Sequence, residues 1–401
     1  MPNEFYKNQF KSMQTSGVQQ SYSIQDPNSE FRTIVENEII LQQPNHESIC
    51  FDNVVGHTSA KQLLNEAVVL PLIIPEFFQE GLQEPWKGVL LFGPPGTGKT
   101  MLARSVANMN GISFFNCSAS ALVNKYRGES EKMLKCVFEM ARERGPSIVF
   151  FDEIDSLFGS RGNGSNKSSG NQKGNESIGV SEGVDESSRR LLTELLKQID
   201  GIESGKSLGD NNNQLGESSN YKQQFEHTAT TQQYLSDSFA YFAATSNSSQ
   251  VLFVGATNMP WSLDDALRRR LEKRIYIGLP DKQAREEIIR RNLFDVAKDT
   301  NVCYSQVARD TEGLCGSDLK ILCREAAFAP IRRLVGNKSI ELLVEMTESG
   351  QLLTDSIPPI TVEDINEAAQ KIKSSVDLQD VQNCIAFNDE YGSNLKVGGK
   401  N

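Results

Sequence analysis

The chain has 401 residues, a hydrophobic fraction of 38% and a formal net charge of −11. This length and apolar content are enough for a hydrophobic core, and they exclude a wholly disordered protein. The acidic excess, 52 Asp and Glu against 41 Lys and Arg, argues against nonspecific coating of nucleic acid, so no nucleic-acid partner is expected.

Membrane insertion and a zinc cluster are not expected either. The longest apolar runs, such as residues 67–74, are much shorter than the roughly 20 residues that cross a bilayer, and the N-terminus shows no signal-peptide pattern. The seven cysteines include no C-x-x-C pair, and the three histidines lie far apart. We therefore expect a cytoplasmic protein with reduced thiols.

Apolar strands alternate with amphipathic helices through most of the chain. Residues 1–45 form a predicted linker with a short helical pattern at 31–42. Beyond it, hydrophobic periodicity predicts helices at 59–70, 129–144 and 186–201 and strands at 88–92, 112–116, 147–151, 251–257 and 274–279. This alternation predicts an α/β fold with a parallel sheet flanked by helices.

Two polar stretches and a helical tail complete the predicted organisation. Gly, Ser and Asn are abundant in residues 160–184 and 203–250, which are predicted to be flexible inserts. From residue 281 onward the patterns are helical. We expect a large α/β domain at 46–280, followed at 281–401 by a small all-helical domain and a C-terminal helix.

The sequence GPPGTGKT at 93–100 follows a predicted strand and opens a helix, which is the context that a phosphate-binding loop requires. Its glycines let backbone N–H groups wrap the phosphates of ATP, Lys99 reaches the β- and γ-phosphates, and Thr100 is a candidate Mg²⁺ ligand. A glycine-rich turn without a ligand is the alternative. The predicted ATP-binding residues here are Gly93, Pro94, Pro95, Gly96, Thr97, Gly98, Lys99, Thr100 and Met101.

Two later strands end in polar residues that suit phosphate hydrolysis. SIVFFDEID at 147–155 places Asp152 where it would hold Mg²⁺, and Glu153 where it would polarise the attacking water. Asn258 ends the following strand and is positioned to hold the same water. Taken singly, these residues could also be a solvated acidic strand end and a turn asparagine.

LRRRLEKR at 267–274 is either an exposed basic patch or a catalytic element that acts on a neighbouring subunit. It follows the nucleotide strands closely, at a place from which a neighbour's phosphate would be reached. Arginine is also well suited to clamp transition-state charge. We assign Arg268 and Arg269 to this role, with Arg270 as the alternative.

The order GPPGTGKT, FFDEID, GATN, RRRLEKR and GLCGSDL resembles that of the AAA ATPases, from about residue 45 to residue 391 apart from the inserts. The resemblance implies a P-loop NTPase fold with a small C-terminal helical lid. It further implies a homo-hexameric ring that binds ATP and Mg²⁺ between protomers. Gly316 and Ser317 would contact the adenine and ribose, with Gly56 on the opposite side of the base.

The same resemblance assigns two loops to the central pore of the ring. NKYRGESEK at 124–132 matches the first loop, with Lys125, Tyr126 and Arg127, and ESSRR at 186–190 matches the second, with Arg189 and Arg190. The aromatic ring would wedge between the side chains of a threaded peptide. Six copies of these cationic side chains would attract an acidic polypeptide, although the net charge of the chain is negative.

Lys-Tyr-Arg-Gly at the pore, together with PWKGVLLFGPPGTGKT at 85–100 and CREAAFAPIRRL at 323–334, most closely resembles the katanin catalytic subunits of the A-like 2 branch, within the meiotic clade of AAA ATPases. The implied activity is ATP-driven microtubule severing, in which tubulin's acidic C-terminal tails are pulled into the pore. The implied location is the microtubule cytoskeleton, with the spindle or centrosome as candidates.

Two alternatives remain open: an unfoldase or disassembly ATPase that acts on another protein, and a non-severing ring partner of an active katanin. The sequence before Phe31 does not resemble a microtubule-binding, LisH or MIT module. Targeting is therefore expected from a regulatory subunit or from a segment missing from this chain.

Overall fold

The computed structural model describes the parts of the chain that carry most of the predicted motifs, and the two predicted inserts lie almost entirely outside them. The described residues are 29–40, 51–73, 85–107, 112–125, 128–158, 182–204, 251–294, 303–336 and 358–393.

A five-stranded parallel sheet forms the centre of the described structure. Its strands are β1 (Gly88–Phe92), β2 (Ser113–Ser118), β3 (Ser147–Asp152), β4 (Val251–Thr257) and β5 (Lys273–Tyr276), in the spatial order β2-β3-β4-β1-β5. All five residues of β1 are buried, as expected of a central strand covered on both faces. The predicted α/β fold class is confirmed.

Helices cover the two faces of this sheet. Leu90 and Phe92 of β1 belong to one hydrophobic cluster, whereas Val89 and Leu91 belong to the other, because successive strand residues point to opposite faces. The helices of this region are α1 (Ser29–Ile34), α2 (Thr58–Leu64), α3 (Leu70–Ile73), α4 (Lys99–Ala107), α5 (Ala119–Lys125), α6 (Ser130–Glu143), α7 (Glu182–Asp200) and α8 (Asp265–Arg270). π-Helical turns cover Val35–Ile39 and Asn65–Val69, and 3-10 turns cover Phe51–Asn53, Ile154–Phe158, Gly201–Ser204 and Pro260–Ser262.

The C-terminal helices have a hydrophobic cluster of their own. Ile289, Leu319, Leu322 and Ile365 are fully buried in it. The helices that contribute are α9 (Lys282–Asn292), α10 (Tyr304–Asp310), α11 (Gly316–Val335) and α12 (Val362–Lys371). None of the helices in the described part of the chain has the length and hydropathy that a membrane span requires.

The last helix, α13 (Leu378–Tyr391), packs against the sheet region instead of this helical cluster. Its residue Phe387 is 6% exposed and belongs to the same hydrophobic cluster as Phe92. The end of the chain's helical tail therefore returns to the domain that carries the phosphate-binding motif.

The segment predicted as a linker contains a helix that is docked on the sheet region. Val35 is fully buried, and Ile40 forms an isolated antiparallel bridge with Phe115 of β2. Arg32 donates two hydrogen bonds of 2.8 Å to the carboxylate of Glu143 at the end of α6. Apolar burial and this ion pair explain why residues 29–40 do not behave as a free linker.

Candidate active site

A cleft of about 660 Å³ opens where the loops after β1, β3 and β4 meet. Ligands of parallel α/β sheets bind in this position, outside the carboxyl ends of the strands. The start of α11 and the segment before α2 line the other side. The predicted residues that line the cleft are Pro95, Gly96, Thr97, Gly98, Lys99, Thr100, Met101, Asp152, Glu153, Asn258, Gly316 and Ser317.

The phosphate-binding loop has the backbone that its glycines permit. Gly93 has a φ of +151°, and a Cβ atom at this position would lie 2.1 Å from the carbonyl oxygen of Ile277. Gly96 and Gly98 have φ values of +71° and +97°, in the region that L side chains rarely adopt. The loop leads into the first turn of α4, where unpaired N–H groups and the helix dipole favour an anion.

Lys99 is held inside this loop. Its Nζ donates hydrogen bonds to the carbonyl oxygens of Gly93 at 2.9 Å and Pro94 at 2.8 Å. Burial lowers the pKa of Lys99 to about 8, against the opposing influence of the neighbouring Cys384 and Asp152 side chains. Gly93 and Pro94 do not line the cleft. Their backbone carbonyl oxygens accept the hydrogen bonds that hold Lys99.

The two predicted Mg²⁺ ligands are in direct contact. The Thr100 hydroxyl donates a hydrogen bond of 2.7 Å to Asp152 Oδ2, although 52 positions separate the two residues. A hydroxyl and a carboxylate beside a phosphate-binding loop are oxygen donors of the kind that Mg²⁺ prefers. These residues therefore fit the metal that the sequence predicts.

Glu153 follows Asp152 in an unusual backbone conformation. Its φ is +51°, and its N–H donates to Asp152 Oδ1 at 3.0 Å. Left-handed backbone is costly for a residue with a Cβ atom, and such strain is common where a site must aim a side chain. The Glu153 side chain is exposed on the cleft.

The end of β4 is fixed by a short polar network. Thr257 donates to Asp155 at 2.6 Å and accepts from the N–H of Met259 at 2.9 Å, so the hydrogen bonds flank Asn258 on both sides. The Asn258 carbonyl oxygen accepts a weak contact of 3.9 Å from Cys384 of α13. Asn258 is thereby held beside the carboxylates of β3.

The helical region contacts the phosphate-binding loop directly. The Ser317 N–H donates to the Gly96 carbonyl oxygen at 3.2 Å, and a Cβ atom on Gly96 would lie 2.6 Å from Cys315 Sγ. Gly56 does not line the cleft, although the residues on either side of it, Val55 and His57, do. Burial lowers the pKa of His57, which favours the neutral imidazole.

Family models match most of the described fold. The model for the ATPase family associated with various cellular activities (AAA) matches residues 89–279, a model of the AAA+ lid domain matches 301–348, and a model of the Vps4 C-terminal oligomerisation domain matches 337–392. The chain is also similar to the crystal structure of the FIGL-1 AAA domain in complex with ADP, with 33% identity and a TM-score of 0.66 over 92% of this chain and 99% of that chain. The chain belongs to the AAA ATPase family. The predicted enzyme class, an ATP hydrolase, is thereby confirmed.

The predicted similarity to katanin is also confirmed. The chain is 38% identical to the katanin p60 ATPase-containing subunit A1 of Arabidopsis thaliana over 92% of its own length and 58% of that relative. It is similar to a structure titled "Structural Basis for Katanin Self-Assembly", with 31% identity and a TM-score of 0.63 over 92% of this chain and 99% of that chain. The chain thus spans little more than half the length of this curated relative. The A-like 2 branch stays a prediction.

The predicted arginines of this AAA protein lie outside the cleft of their own protomer. Arg269 is exposed on α8, and the Arg268 guanidinium lies over the ring of Tyr391 at 4.6 Å. Arg270 instead donates two hydrogen bonds of 2.6 Å to the carboxylate of Asp200. This bidentate pair disfavours Arg270 as the group that reaches a neighbour.

The predicted pore residues are described only in part. Lys125 is the last residue of α5, whereas Tyr126 and Arg127 lie outside the described residues. Arg189 and Arg190 are exposed on α7, and Arg190 pairs with Glu186 of the same helix.

Sequence reasoning missed several residues of the cleft. Asn53 and Val54 enter it from the segment before α2, and Ile288, Asn292 and Lys320 enter it from the helical region. Ile288 and Asn292 lie on α9, far in sequence from every assigned residue, so no local motif could have identified them. Asn53, Val54 and Lys320 lie within three positions of Gly56 or Ser317 and were within reach. Asp155 and Thr257 do not line the cleft but fix its edge, and they too were within reach, because they lie two positions from Glu153 and one from Asn258.

Proposed function

We propose that this AAA ATPase binds ATP with Mg²⁺ in the cleft and uses hydrolysis to sever microtubules, by threading tubulin's acidic C-terminal tails through a hexameric pore. The observation that carries the hydrolysis step is the convergence of Lys99, Thr100, Asp152, Glu153 and Asn258 on one cleft. Similarity to katanin subunits over about nine-tenths of this chain supports the choice of substrate.

Each residue of the cleft has a role that its position supports. Lys99 supplies positive charge to the β- and γ-phosphates, and Thr100 and Asp152 would hold Mg²⁺, which neutralises charge on the phosphates when bound. Glu153 orients and polarises the attacking water, and Asn258 holds that water in line with the γ-phosphate.

Arg268 and Arg269 act on the ATP of the neighbouring protomer. They are outside the cleft of their own protomer, and arginine in this position would stabilise transition-state charge on the next subunit's phosphate. In a homo-hexamer, each site would then need two protomers.

Mechanical work takes place at the pore. Lys125, Tyr126 and Arg127 would grip the threaded tail, and Arg189 and Arg190 would add positive charge to the same channel. The protein would act at microtubules, including those of the spindle or centrosome, with a regulatory or targeting subunit as a further partner. The large domain would comprise 46–280, and the lid with its C-terminal helix 281–401.

A disassembly ATPase for another protein is the second candidate. The exposed arginines on α7 would attract any acidic polypeptide, not tubulin alone. A non-severing ring partner of an active katanin is a weaker third, because every hydrolysis residue is present.

The test is a severing assay on taxol-stabilised fluorescent microtubules, with the purified chain and ATP. We expect internal breaks with the wild-type protein and none with Glu153→Gln, which would still bind ATP because its phosphate contacts are intact. Breaks that occur equally with Glu153→Gln would contradict the mechanism. ATP hydrolysis without breaks would favour the second candidate, and polypeptide trapped on Glu153→Gln rings would then identify the substrate.

A further inference from the structure

We infer that Tyr391 is a positioning residue for Arg268, and that it aims this guanidinium at the ATP of the neighbouring protomer; the inference rests on the proposed trans role of Arg268. The Arg268 guanidinium carbon lies 4.6 Å from the centroid of the Tyr391 ring. A cation at this distance from an aromatic face is attracted by the ring's negative surface. The Arg268 side chain is 23% exposed, and its Nη2 also donates to the carboxylate of Asp265 on the same helix.

Arg274 of β5 fixes the distance between the two residues. Its Nη2 donates to the carbonyl oxygen of Arg268 at 2.6 Å, and its Nη1 donates to the carbonyl oxygen of Tyr391 at 3.3 Å. Beyond Tyr391, the Ser393 N–H donates to the Arg274 carbonyl oxygen at 2.7 Å, and the Arg274 N–H donates to Ser393 Oγ at 3.0 Å. The backbones of α8, β5 and the end of α13 are thus joined at one arginine.

The same face of α13 also contacts the cleft of its own protomer. Cys384, Phe387 and Tyr391 are spaced by three and four positions and therefore share a helix face. The Phe387 ring lies 5.0 Å from Tyr391 and 5.1 Å from Phe92, the residue that precedes the phosphate-binding loop. Cys384 contacts the carbonyl oxygen of Asn258.

These contacts give the middle and the C-terminal end of α13 different roles. Near Cys384 it touches the hydrolysis residues of its own protomer, and at Tyr391 it holds the arginine that acts on the next one. Loss of the Tyr391 ring should leave ATP binding unchanged, because the ring contacts described for Tyr391 are with Phe387 and Arg268, and neither lines the cleft. It should slow turnover, because Arg268 would spend less time in the geometry that stabilises the transition state.

The test is a double-mutant cycle on the ATPase activity of the full chain. The variants are Tyr391→Leu, Arg268→Ala and the two combined, with Tyr391→Phe as the conservative variant that keeps the ring. Each is assayed at a protein concentration at which sedimentation shows the same oligomer. Tyr391→Met is the second substitution if the leucine variant does not assemble.

We expect Tyr391→Leu to lower kcat by about 3- to 10-fold with an unchanged KM for ATP, since this is the range that a partly exposed cation–π contact supports. Tyr391→Phe should retain wild-type turnover, because it keeps the aromatic ring. The combined variant should be no slower than Arg268→Ala alone, because Tyr391 acts only through that residue.

A multiplicative loss in the combined variant would overturn the inference, since Tyr391 would then act by another route. Wild-type turnover of Tyr391→Leu would also overturn it, whereas the trans role of Arg268 would survive. Wild-type turnover of Arg268→Ala would instead refute that trans role, and the inference with it.

Discussion

Two residues of the active site occupy states that are unfavourable in isolation. Glu153 adopts a positive φ of +51°, and Lys99, a residue with a charged side chain, is only 7% exposed. The surrounding structure stabilises both states. The strand β3 fixes the backbone before Glu153, and two loop carbonyl oxygens accept hydrogen bonds from Lys99. Since burial lowers the pKa of Lys99, the charge of this side chain should depend on pH in the mildly alkaline range.

Nucleotide binding should be coupled to proton uptake at mildly alkaline pH. The pKa of Lys99 is lowered from 10.5 to about 8 by burial, so at pH 8.5 more than half of the free protein carries a neutral Lys99. Phosphates favour the charged form and raise the pKa again, and affinity for ATP should therefore fall as pH rises above 8. Calorimetry with metal-free ATP at pH 8.5, in two buffers of different ionisation heat, should show net proton uptake.

Lys99→Arg is the matched control for this coupling, because arginine keeps the charge but does not titrate in this range. Its binding should show no proton uptake and a flatter dependence on pH between 8 and 9.5. Equal proton uptake in the wild-type and arginine proteins would mean that another group titrates.

At the scale of elements, the start of α11 connects the helical region to the cleft. Asp318 is 3% exposed, and its Oδ2 accepts hydrogen bonds from the N–H groups of Cys315 at 3.1 Å and Ser375 at 3.2 Å. Burial acts to raise the pKa of Asp318, but the hydrogen bonds from Ser375 and Cys315 outweigh it and leave the pKa below the usual value. The carboxylate thus joins α11, which carries Gly316 and Ser317, to the segment before α13.

Asp318→Ala should lower the free energy of unfolding of the helical region by about 2–3 kcal/mol, because two buried N–H groups lose a charged acceptor. Urea denaturation at pH 7 measures this loss, and Asp318→Asn, which keeps one oxygen acceptor, should lose less. Since the folded pKa is lowered, the stabilisation is present above the unfolded pKa near 3.8 and disappears as the pH falls through the folded value. An alanine variant with an unchanged urea midpoint would contradict this role.

Elements with strong local signals were predictable, and those that depend on distant packing were not. β1 and β3 were evident as apolar runs that end in GPPGTGKT and DEID. The strand predicted at 274–279 instead covers Lys273–Tyr276. Ile277 still donates its N–H to the Phe92 carbonyl oxygen at 2.8 Å, and Gly278 and Pro280 follow outside the strand. The contact of Phe387 with Phe92 joins α13 to β1, which are far apart in the sequence, so no local pattern could predict it.

At the scale of the whole molecule, the two arginines assigned to transition-state stabilisation do not line the described cleft of their own protomer, where the cations are Lys99, Arg291 and Lys320. In the proposed reaction Lys99 binds the phosphates of ATP, whereas Arg268 and Arg269 lie on α8 outside the cleft. A protomer on its own should therefore bind ATP and hydrolyse it slowly. Assembly would complete the site, and the match to an oligomerisation domain at 337–392 is consistent with this requirement.

Specific ATPase activity should consequently rise with protein concentration and reach a plateau where sedimentation shows complete rings. If both arginines stabilise the transition state, each of the substitutions Arg268→Ala and Arg269→Ala should lower this plateau by about 10³-fold. This factor is the lower end of the effect that a trans-acting arginine provides. ATP binding should not be prevented. Arg309→Ala is the matched control, because Arg309 is exposed on α10 and away from the cleft. Its plateau should equal that of the wild type. Specific activity that does not depend on concentration, measured over a range in which the rings dissociate, would mean that each protomer hydrolyses ATP without its neighbour's arginines.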